Sequence, residues 1–178
     1  MKTMSEDLLW NRVRQCFETN DGSLPTVELQ NLTGDEVAEL YAFIRGKGHI
    51  ASQDATFWDL PAATDRVLDD VPNAARLVST GQASPFHFSV EGTTACGVTL
   101  PCLGVHVFQE TVALDYRMGA EWGAREVFAF FSLLEGLLSK THAGVLAPST
   151  SEGPPDPESF MMAWQLFRER SDNGVETE

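Results

Sequence analysis

The sequence has no run that approaches the roughly 20 apolar residues of a membrane-spanning helix, and no apolar amino-terminal stretch followed by a small-residue cleavage site. From these two absences we expect a cytoplasmic protein that does not enter a membrane. Basic residues are also scarce, with 12 lysines and arginines against 26 aspartates and glutamates, and a net charge of −14. Nucleic acids and anionic membranes attract positive surfaces, so we expect no binding to either.

Cysteine and recognisable catalytic motifs are scarce as well. Cys16, Cys96 and Cys102 are odd in number and have no CxxC spacing, which predicts neither a disulfide framework nor a zinc site. The chain contains no GxSxG nucleophile motif and no GxGxxG nucleotide-binding fingerprint after a strand. These absences predict no catalytic residue, no cofactor and no metal, and they favour a protein that is not an enzyme.

A length of 178 residues with 43% hydrophobic content suits one globular domain. We expect a single α+β domain over residues 1–170 and a polar acidic tail over 171–178. The strongest pattern is a long apolar helix at about 120–139, in which Gly136 is interpreted as a point of close packing. Apolar residues recur in this helix at spacings of three and four: Val127, Phe130, Phe131, Leu134, Leu137 and Leu138.

Two segments with alternating apolar residues, 102–108 and 111–117, precede this helix. A turn at Gln109-Glu110 pairs His106 with Ala113 and Gly104 with Asp115, which brings every aliphatic side chain to one face. An earlier segment, 85–91, is predicted to turn at Gly92-Thr93-Thr94 and to pair Val90 with Cys96 and Phe88 with Val98. The predicted fold is therefore an α+β fold with an antiparallel β-meander over about 85–117, packed against the helix and flanked by amino-terminal and carboxyl-terminal helices.

The remaining elements are predicted from local signals. Residues 27–29 alternate in polarity, which indicates a short edge strand or an extended segment, and residues 145–147 form a short last strand. Residues 49–72 are predicted to be a surface loop with one helical turn at 55–60. Three helix starts carry a capping residue: Ser5, Thr33 and Asp156.

The face of the meander that turns away from the helix collects polar side chains. Two imidazoles beside two carboxylates can form a metal site, an acid/base pair or a polar docking surface. Antiparallel sheets commonly leave one face in water, so polar residues there are expected whatever the function. The face carries the following residues: His87, Ser89, Glu91, His106, Asp115 and Arg117.

The connector from strand to helix, residues 115–122, is also rich in residue types that bind partners. Asp115 and Arg117 are predicted to form an ion pair. Trp122 has two interpretations: it closes the top of the core, or it anchors a partner together with Arg117, because Trp and Arg dominate binding hot spots. The candidate binding residues are then His87, Glu91, His106, Asp115, Arg117 and Trp122.

Strong negative charge without a catalytic signature favours a non-enzymatic cytosolic interaction protein that binds and restrains a basic protein partner, since complementary charge accelerates and orients association. A bacterial toxin immunity or inhibitor protein is the concrete form of this hypothesis. One alternative is a small metal-dependent hydrolase that uses His87, Glu91, His106 and Asp115. The other is an assembly or structural subunit, which an exposed apolar patch would favour. The sequence assigns no oligomeric state.

Overall fold

The structure is a computed structural model that describes residues 4–53 and 55–172. These residues form an α+β fold with an open antiparallel sheet. The helices are α1 (Glu6–Val13), α2 (Gly34–Lys47), α3 (Ala74–Ser79), α4 (Ala124–Leu138) and α5 (Pro157–Asp172). The strands are β1 (Thr26–Gln30), β2 (His49–Ile50), β3 (Thr56–Asp59), β4 (Thr64–Val67), β5 (Phe86–Glu91), β6 (Thr94–Ala95), β7 (Val98–Thr99), β8 (Leu103–Val107), β9 (Val112–Tyr116) and β10 (Val145–Pro148). The last part of the predicted acidic tail, 173–178, lies outside the described residues.

Six strands form the central sheet in the order β10-β1-β9-β8-β5-β2, and the other four form two separate hairpins, β3-β4 and β6-β7. The predicted register of β8 and β9 is confirmed, with Gly104 opposite Asp115 and His106 opposite Ala113. The N–H of Phe108 donates to the carbonyl of Thr111 at 2.9 Å across the turn. The alternation of apolar residues predicts this register because a slip by one residue would expose the aliphatic side chains.

One face of the central sheet is apolar and packs against a helical layer. Tyr41 of α2 packs edge-on against Phe86 and Phe88 of β5, with ring centroids 5.8 and 5.7 Å apart. Phe130 of α4 packs against Tyr116 of β9 at 5.5 Å. Helix α1 lies against α4 and α5. The helices therefore cover one side of the sheet and leave the other side open, which is the arrangement that the polar residues of the meander predict.

The predicted helix caps are confirmed. Ser5 Oγ accepts a hydrogen bond from the N–H of Leu8, and Asp156 accepts one from the N–H of Ser159. Thr33 and Glu36 form a capping box, in which each side chain bonds the backbone N–H of the other residue. These bonds satisfy donors that the first turn of a helix leaves without a partner inside the helix.

Helix α4 begins at Ala124 and not at about 120. A turn precedes it, in which Gly119 has a φ of 153° and its carbonyl accepts a hydrogen bond from the N–H of Trp122 at 3.2 Å. The close-packing interpretation of Gly136 is wrong, because nothing lies within 4 Å of the position that a Cβ would occupy. Within the described residues, no helix has the length and apolar character needed to cross a membrane.

The helical turn predicted at 55–60 is wrong, since this segment is strand β3 and pairs with β4. Phe57 is 2% exposed and Trp58 is 43% exposed, so the strand alternates between inside and outside. Strands of four residues are too short for periodicity alone to separate them from a helical turn. The loop predicted over 49–72 therefore contains an ordered hairpin.

Strand β1 is not at an edge of the sheet, because it lies between β9 and β10. Val27 is opposite Leu114 on one side and Pro148 on the other. Both partner strands come from distant parts of the chain. The alternation within 27–29 therefore predicts a strand but contains no information about its neighbours.

The predicted pairing of Phe88 with Val98 and of Val90 with Cys96 is also wrong, because β5 pairs with β8 and Phe88 lies opposite Val105. The β5-β8 ladder has five positions, of which three match apolar residues with apolar residues and one places His87 opposite His106. Residues 94–99 form their own hairpin, in which Cys96 and Gly97 have φ values of 49° and 73°. Positive φ at both central residues is characteristic of a type I′ turn, which closes a hairpin after only two residues.

Candidate functional site

Three neighbouring strands position the polar cluster at the centre of the open sheet face. His87 of β5 lies directly opposite His106 of β8, and Gly104 of β8 lies directly opposite Asp115 of β9. Residues two apart in a strand share a face, so the side chain of His106 lies on the same face of the sheet as the position where Gly104 lacks a side chain. The side chain of Asp115 can therefore reach both histidines across the strand that separates it from His87.

Asp115 Oδ2 lies 2.8 Å from His106 Nε2 and 3.1 Å from His87 Nε2. The two imidazole ring centroids are 4.2 Å apart. An ionised carboxylate can only accept hydrogen bonds, so each Nε2 carries the proton in this arrangement. The side chain of Asp115 is 8% exposed, whereas those of His87 and His106 are 43% and 34% exposed. The carboxylate thus lies beneath two imidazoles that remain open to water.

Gly104 provides the space that the carboxylate occupies. A Cβ built on Gly104 would overlap all three atoms of the Asp115 carboxylate. Any other residue at position 104 would therefore displace the side chain of Asp115 from the histidines. Glycine in a strand interior weakens the strand and often marks a close approach of another group, which is its role here.

Two opposing effects determine the pKa of Asp115. Burial raises the pKa of the carboxyl group, but the hydrogen bonds from His106 and His87, together with their positive charge, outweigh burial and lower the pKa from 3.8 to about 2. Asp115 is therefore ionised at neutral pH. A buried carboxylate is retained in this form only when donors compensate for lost water.

The same three side chains can hold a metal ion. One ligand atom from each of His87, His106 and Asp115 lies within 4.8 Å of the others. Two imidazole nitrogens and one carboxylate oxygen are a ligand set used by zinc and other first-row transition metals. Chemically, the cluster can therefore accept a proton, bind a cation or dock a polar group.

The other predicted binding residues do not join this cluster. Ser89 is half-buried opposite Gly104, and Glu91 lies 3.8 Å from His49 at the β2 edge of the sheet. The predicted ion pair between Asp115 and Arg117 is wrong: among the described residues, the partners of Asp115 are the two histidines.

Trp122 is buried rather than presented to a partner, with 4% exposure. Its indole N–H donates to the carbonyl of Arg117 at 2.8 Å, and its ring packs against Phe17, Tyr116 and Phe130. This burial fits the interpretation in which Trp122 closes the core. The exposed side chain of Arg117 lies outside the histidine cluster.

A second surface, the outer face of the β3-β4 hairpin, is not among the binding residues that the sequence predicts. Trp58 and Val67 are 43% and 39% exposed on this hairpin, and Leu60, in the turn that follows β3, is 48% exposed. The signal in the sequence is the segment TFWD, in which exposed and buried residues alternate, followed by a four-residue turn and a second short segment, TDRV.

An open cleft of about 540 Å³ lies beside this hairpin. Its lining includes Leu60, Gly81, Pro85 and Phe108. The Phe108 ring is parallel to the His106 ring, with centroids 6.3 Å apart. Phe108 therefore borders both the cleft and the histidine cluster.

Comparison with known proteins finds no relative of this chain. No protein-family model, curated protein or solved structure matches this chain.

Proposed function

We propose that this protein is a non-enzymatic, acidic cytoplasmic interaction protein that binds and restrains a basic protein partner through the outer face of the β3-β4 hairpin. The observation that carries the proposal is the exposure of Trp58, at 43%, two residues from Leu60, at 48%, on a hairpin whose outer face also carries Asp65. Trp is the residue type most enriched in the energetically dominant part of protein interfaces. A bacterial immunity or inhibitor protein is the concrete form of the proposal.

Packing and hydrogen bonds attach the hairpin to the rest of the fold. Phe57 on the inner face packs near Phe86 of the sheet at 6.3 Å, and Arg66 Nη1 donates to Asp59 Oδ2 at 2.8 Å. Two backbone hydrogen bonds join the hairpin to residues 82–84, one from Leu60 N–H to the Gln82 carbonyl and one from Ser84 N–H to the Trp58 carbonyl. A surface that is ordered before binding loses less conformational entropy on association.

The charge around these apolar residues favours a basic partner. Of the four aspartates in residues 55–70, Asp59 and Asp69 pair with Arg66 and Arg45, which leaves Asp65 and Asp70 for a partner. Asp65 lies directly opposite Trp58 in the ladder. An apolar centre with a charged rim is the usual anatomy of a protein interface. The net charge of −14 adds a long-range field that attracts a cationic surface and increases the association rate.

The test compares Trp58→Ala with Met162→Ala, a matched control because Met162 is also apolar and is 57% exposed on α5. Affinity capture from the host should retain a basic protein on the wild type and on Met162→Ala but not on Trp58→Ala. With the purified partner, Trp58→Ala should weaken binding by about 30-fold or more, as loss of a hot-spot residue costs about 2 kcal/mol. Equal binding by the two variants would refute the proposed surface.

The charge is tested separately with Asp65→Asn and Asp70→Asn. These substitutions should slow association and reduce its dependence on salt, while dissociation changes little, because exposed charges act mainly on the encounter rate. Association that is indifferent to ionic strength in the wild type would contradict recognition of a basic partner.

The same apolar residues also favour the assembly-subunit alternative, since exposed patches can mediate self-association. Light scattering over a range of protein concentrations distinguishes the two functions. A monomeric wild type agrees with binding of a different protein. Concentration-dependent self-association that disappears in Trp58→Ala would establish the assembly function instead.

A further inference from the structure

We propose that His87, His106 and Asp115 form a binding site for a divalent transition-metal ion of the zinc class, with His87 Nε2, His106 Nε2 and Asp115 Oδ2 as its three protein ligands. This site lies on the open face of the central sheet and is independent of the proposed binding function of the β3-β4 hairpin. It revises the sequence-based expectation of no metal ligand.

The spacing of the ligand atoms fits such an ion closely. Zn–N and Zn–O bonds of about 2.0–2.2 Å at tetrahedral angles place ligand atoms roughly 3.3 Å apart. The two Nε2–Oδ2 distances are 2.8 and 3.1 Å, and one ligand atom from each of the three residues lies within 4.8 Å of the others. Increases of roughly 0.2–0.5 Å in the two Nε2–Oδ2 distances therefore bring them to the value that the ion requires.

The ligand set decides the class of metal. Magnesium and calcium prefer oxygen ligands, whereas imidazole nitrogen favours zinc, copper, nickel and iron. With two imidazoles and one carboxylate, the cluster should discriminate against magnesium and calcium. The side chains of His87 and His106 are 43% and 34% exposed, so the remaining coordination positions face water and can hold a water molecule or an external ligand.

The ligands are fixed by the sheet and not by loops. His87 and His106 are partners in the β5-β8 ladder, and Asp115 is a partner of Gly104 in the β8-β9 ladder. Without a Cβ at Gly104, the carboxylate lies flat across the middle strand and reaches both imidazoles. Sites on rigid elements hold their ligands more accurately than sites on loops, and this reduces the cost of ordering them on binding.

Metal binding competes with the hydrogen bonds of the cluster. In the ion-free arrangement both Nε2 atoms carry protons that point at Asp115 Oδ2. The ion bonds to the lone pair of each Nε2, so in each neutral ring the proton leaves Nε2 and Nδ1 is protonated from solvent, with no net proton release. Asp115 is already ionised and contributes its negative charge without losing a proton.

Zinc titration of the full chain by calorimetry, after removal of metals with a chelator, tests the proposal. The series is built on a Cys96→Ser/Cys102→Ser background, since both thiols are exposed and could bind zinc themselves. We expect one zinc ion per chain, bound more tightly than about 10 µM. Magnesium at the same concentration should give no heat of binding.

Four variants identify the ligands. His87→Gln and His106→Gln should each weaken zinc binding by at least about 10-fold, as even residues behind the ligands contribute that much. His49→Gln and His142→Gln are matched controls at exposed histidines outside the cluster and should leave the affinity unchanged. Circular dichroism confirms that each variant is folded.

Cobalt substitution gives a second measurement that non-specific binding does not reproduce. Co²⁺ in the site should give intense visible absorption bands characteristic of four or five ligands, and these should be lost in His106→Gln. Failure to bind zinc at one ion per chain, or equal affinity in all four histidine variants, would overturn the proposal. Neither result bears on Trp58 and the binding function proposed for the hairpin.

Discussion

Replacing Gly104 with alanine places a methyl group where the carboxylate of Asp115 lies, and therefore tests the geometry of the cluster directly. The backbone of Gly104 does not adopt positive φ, so alanine is compatible with the local conformation. The expected effect is displacement of the Asp115 side chain from both histidines. Asp115→Ala removes the carboxylate itself, and the two substitutions form a double-mutant cycle.

The magnitude follows from the two lost hydrogen bonds. A hydrogen bond to a charged group contributes about 1.5–3 kcal/mol when it is buried, and the half-exposed histidines reduce the total here to about 2 kcal/mol. Replacing glycine with alanine also stabilises the folded protein by about 0.4–1 kcal/mol, because alanine restricts the conformations of the unfolded chain. We therefore expect Gly104→Ala to destabilise the wild type by about 1–2 kcal/mol. In the Asp115→Ala protein the same substitution should be neutral or stabilising.

Urea unfolding of the four proteins at pH 7, followed by circular dichroism and tryptophan fluorescence, measures this cycle. The expected coupling between Gly104→Ala and Asp115→Ala is about 2 kcal/mol. An equal cost of Gly104→Ala in both backgrounds would show that the alanine methyl group does not meet the Asp115 carboxylate. The description of the cluster would then be wrong.

Three further predictions concern other properties of the fold. Because the histidines lower the Asp115 pKa from 3.8 to about 2, the ionised carboxylate stabilises the fold above about pH 4 and this contribution is lost as the pH falls towards 2. In urea unfolding, the difference in free energy of unfolding between the wild type and Asp115→Asn should therefore decrease by about 2 kcal/mol over this pH range. A difference that stays constant with pH would contradict the lowered pKa of Asp115. Gly136→Ala should raise the free energy of unfolding by about 1 kcal/mol, since nothing lies within 4 Å of the added methyl group; a destabilised variant would indicate close packing after all. Iodoacetamide labelling followed by mass spectrometry should modify Cys96 and Cys102 in the native protein but not Cys16, which is buried and whose pKa burial raises to about 11; rapid labelling of Cys16 would place it at the surface.

Part of this fold can be predicted from the sequence, because burial of one face of the sheet determines which residues of each strand must be apolar. The register of β8 and β9 follows from the alternation of Leu103, Val105 and Val107 with polar residues, since only one parity buries all three. The helix caps at Thr33 and Asp156 are equally local, because each bonds a backbone group three residues away. Such features depend on short stretches of chain and need no knowledge of distant partners.

Other parts depend on contacts that the local pattern does not specify. Alternation identifies β5 as a strand, but it does not distinguish β8 from the nearer residues around Cys96 and Val98 as its partner. In the structure β5 pairs with β8, and residues 94–99 form a separate hairpin. Similarly, the four-residue strands of the β3-β4 hairpin are shorter than the window in which periodicity separates strand from helix.

The candidate site also has a part that the sequence predicts and a part that depends on distant contacts. The sequence places His87, His106 and Asp115 on one sheet face, but the partner of Asp115 depends on the order of the strands and on the missing side chain of Gly104. With β9 beside β8 and β8 beside β5, both histidines come within hydrogen-bond distance of the carboxylate. The role of Trp122 does not follow from the sequence for a different reason. An aromatic residue in a connector can close a core or anchor a partner, and only its burial in the structure distinguishes these roles.

The most direct test of the central claim, that Asp115 binds both imidazoles through Nε2, is a nuclear magnetic resonance measurement of the ring nitrogens. The chain has four histidines, so single His→Gln variants assign every ring. In the metal-free protein at neutral pH, His87 and His106 should carry their proton on Nε2, and both Nε2 resonances should shift when Asp115 is replaced by asparagine. A neutral ring protonated on Nδ1 at either position, or Nε2 resonances that do not respond to Asp115→Asn, would contradict the account.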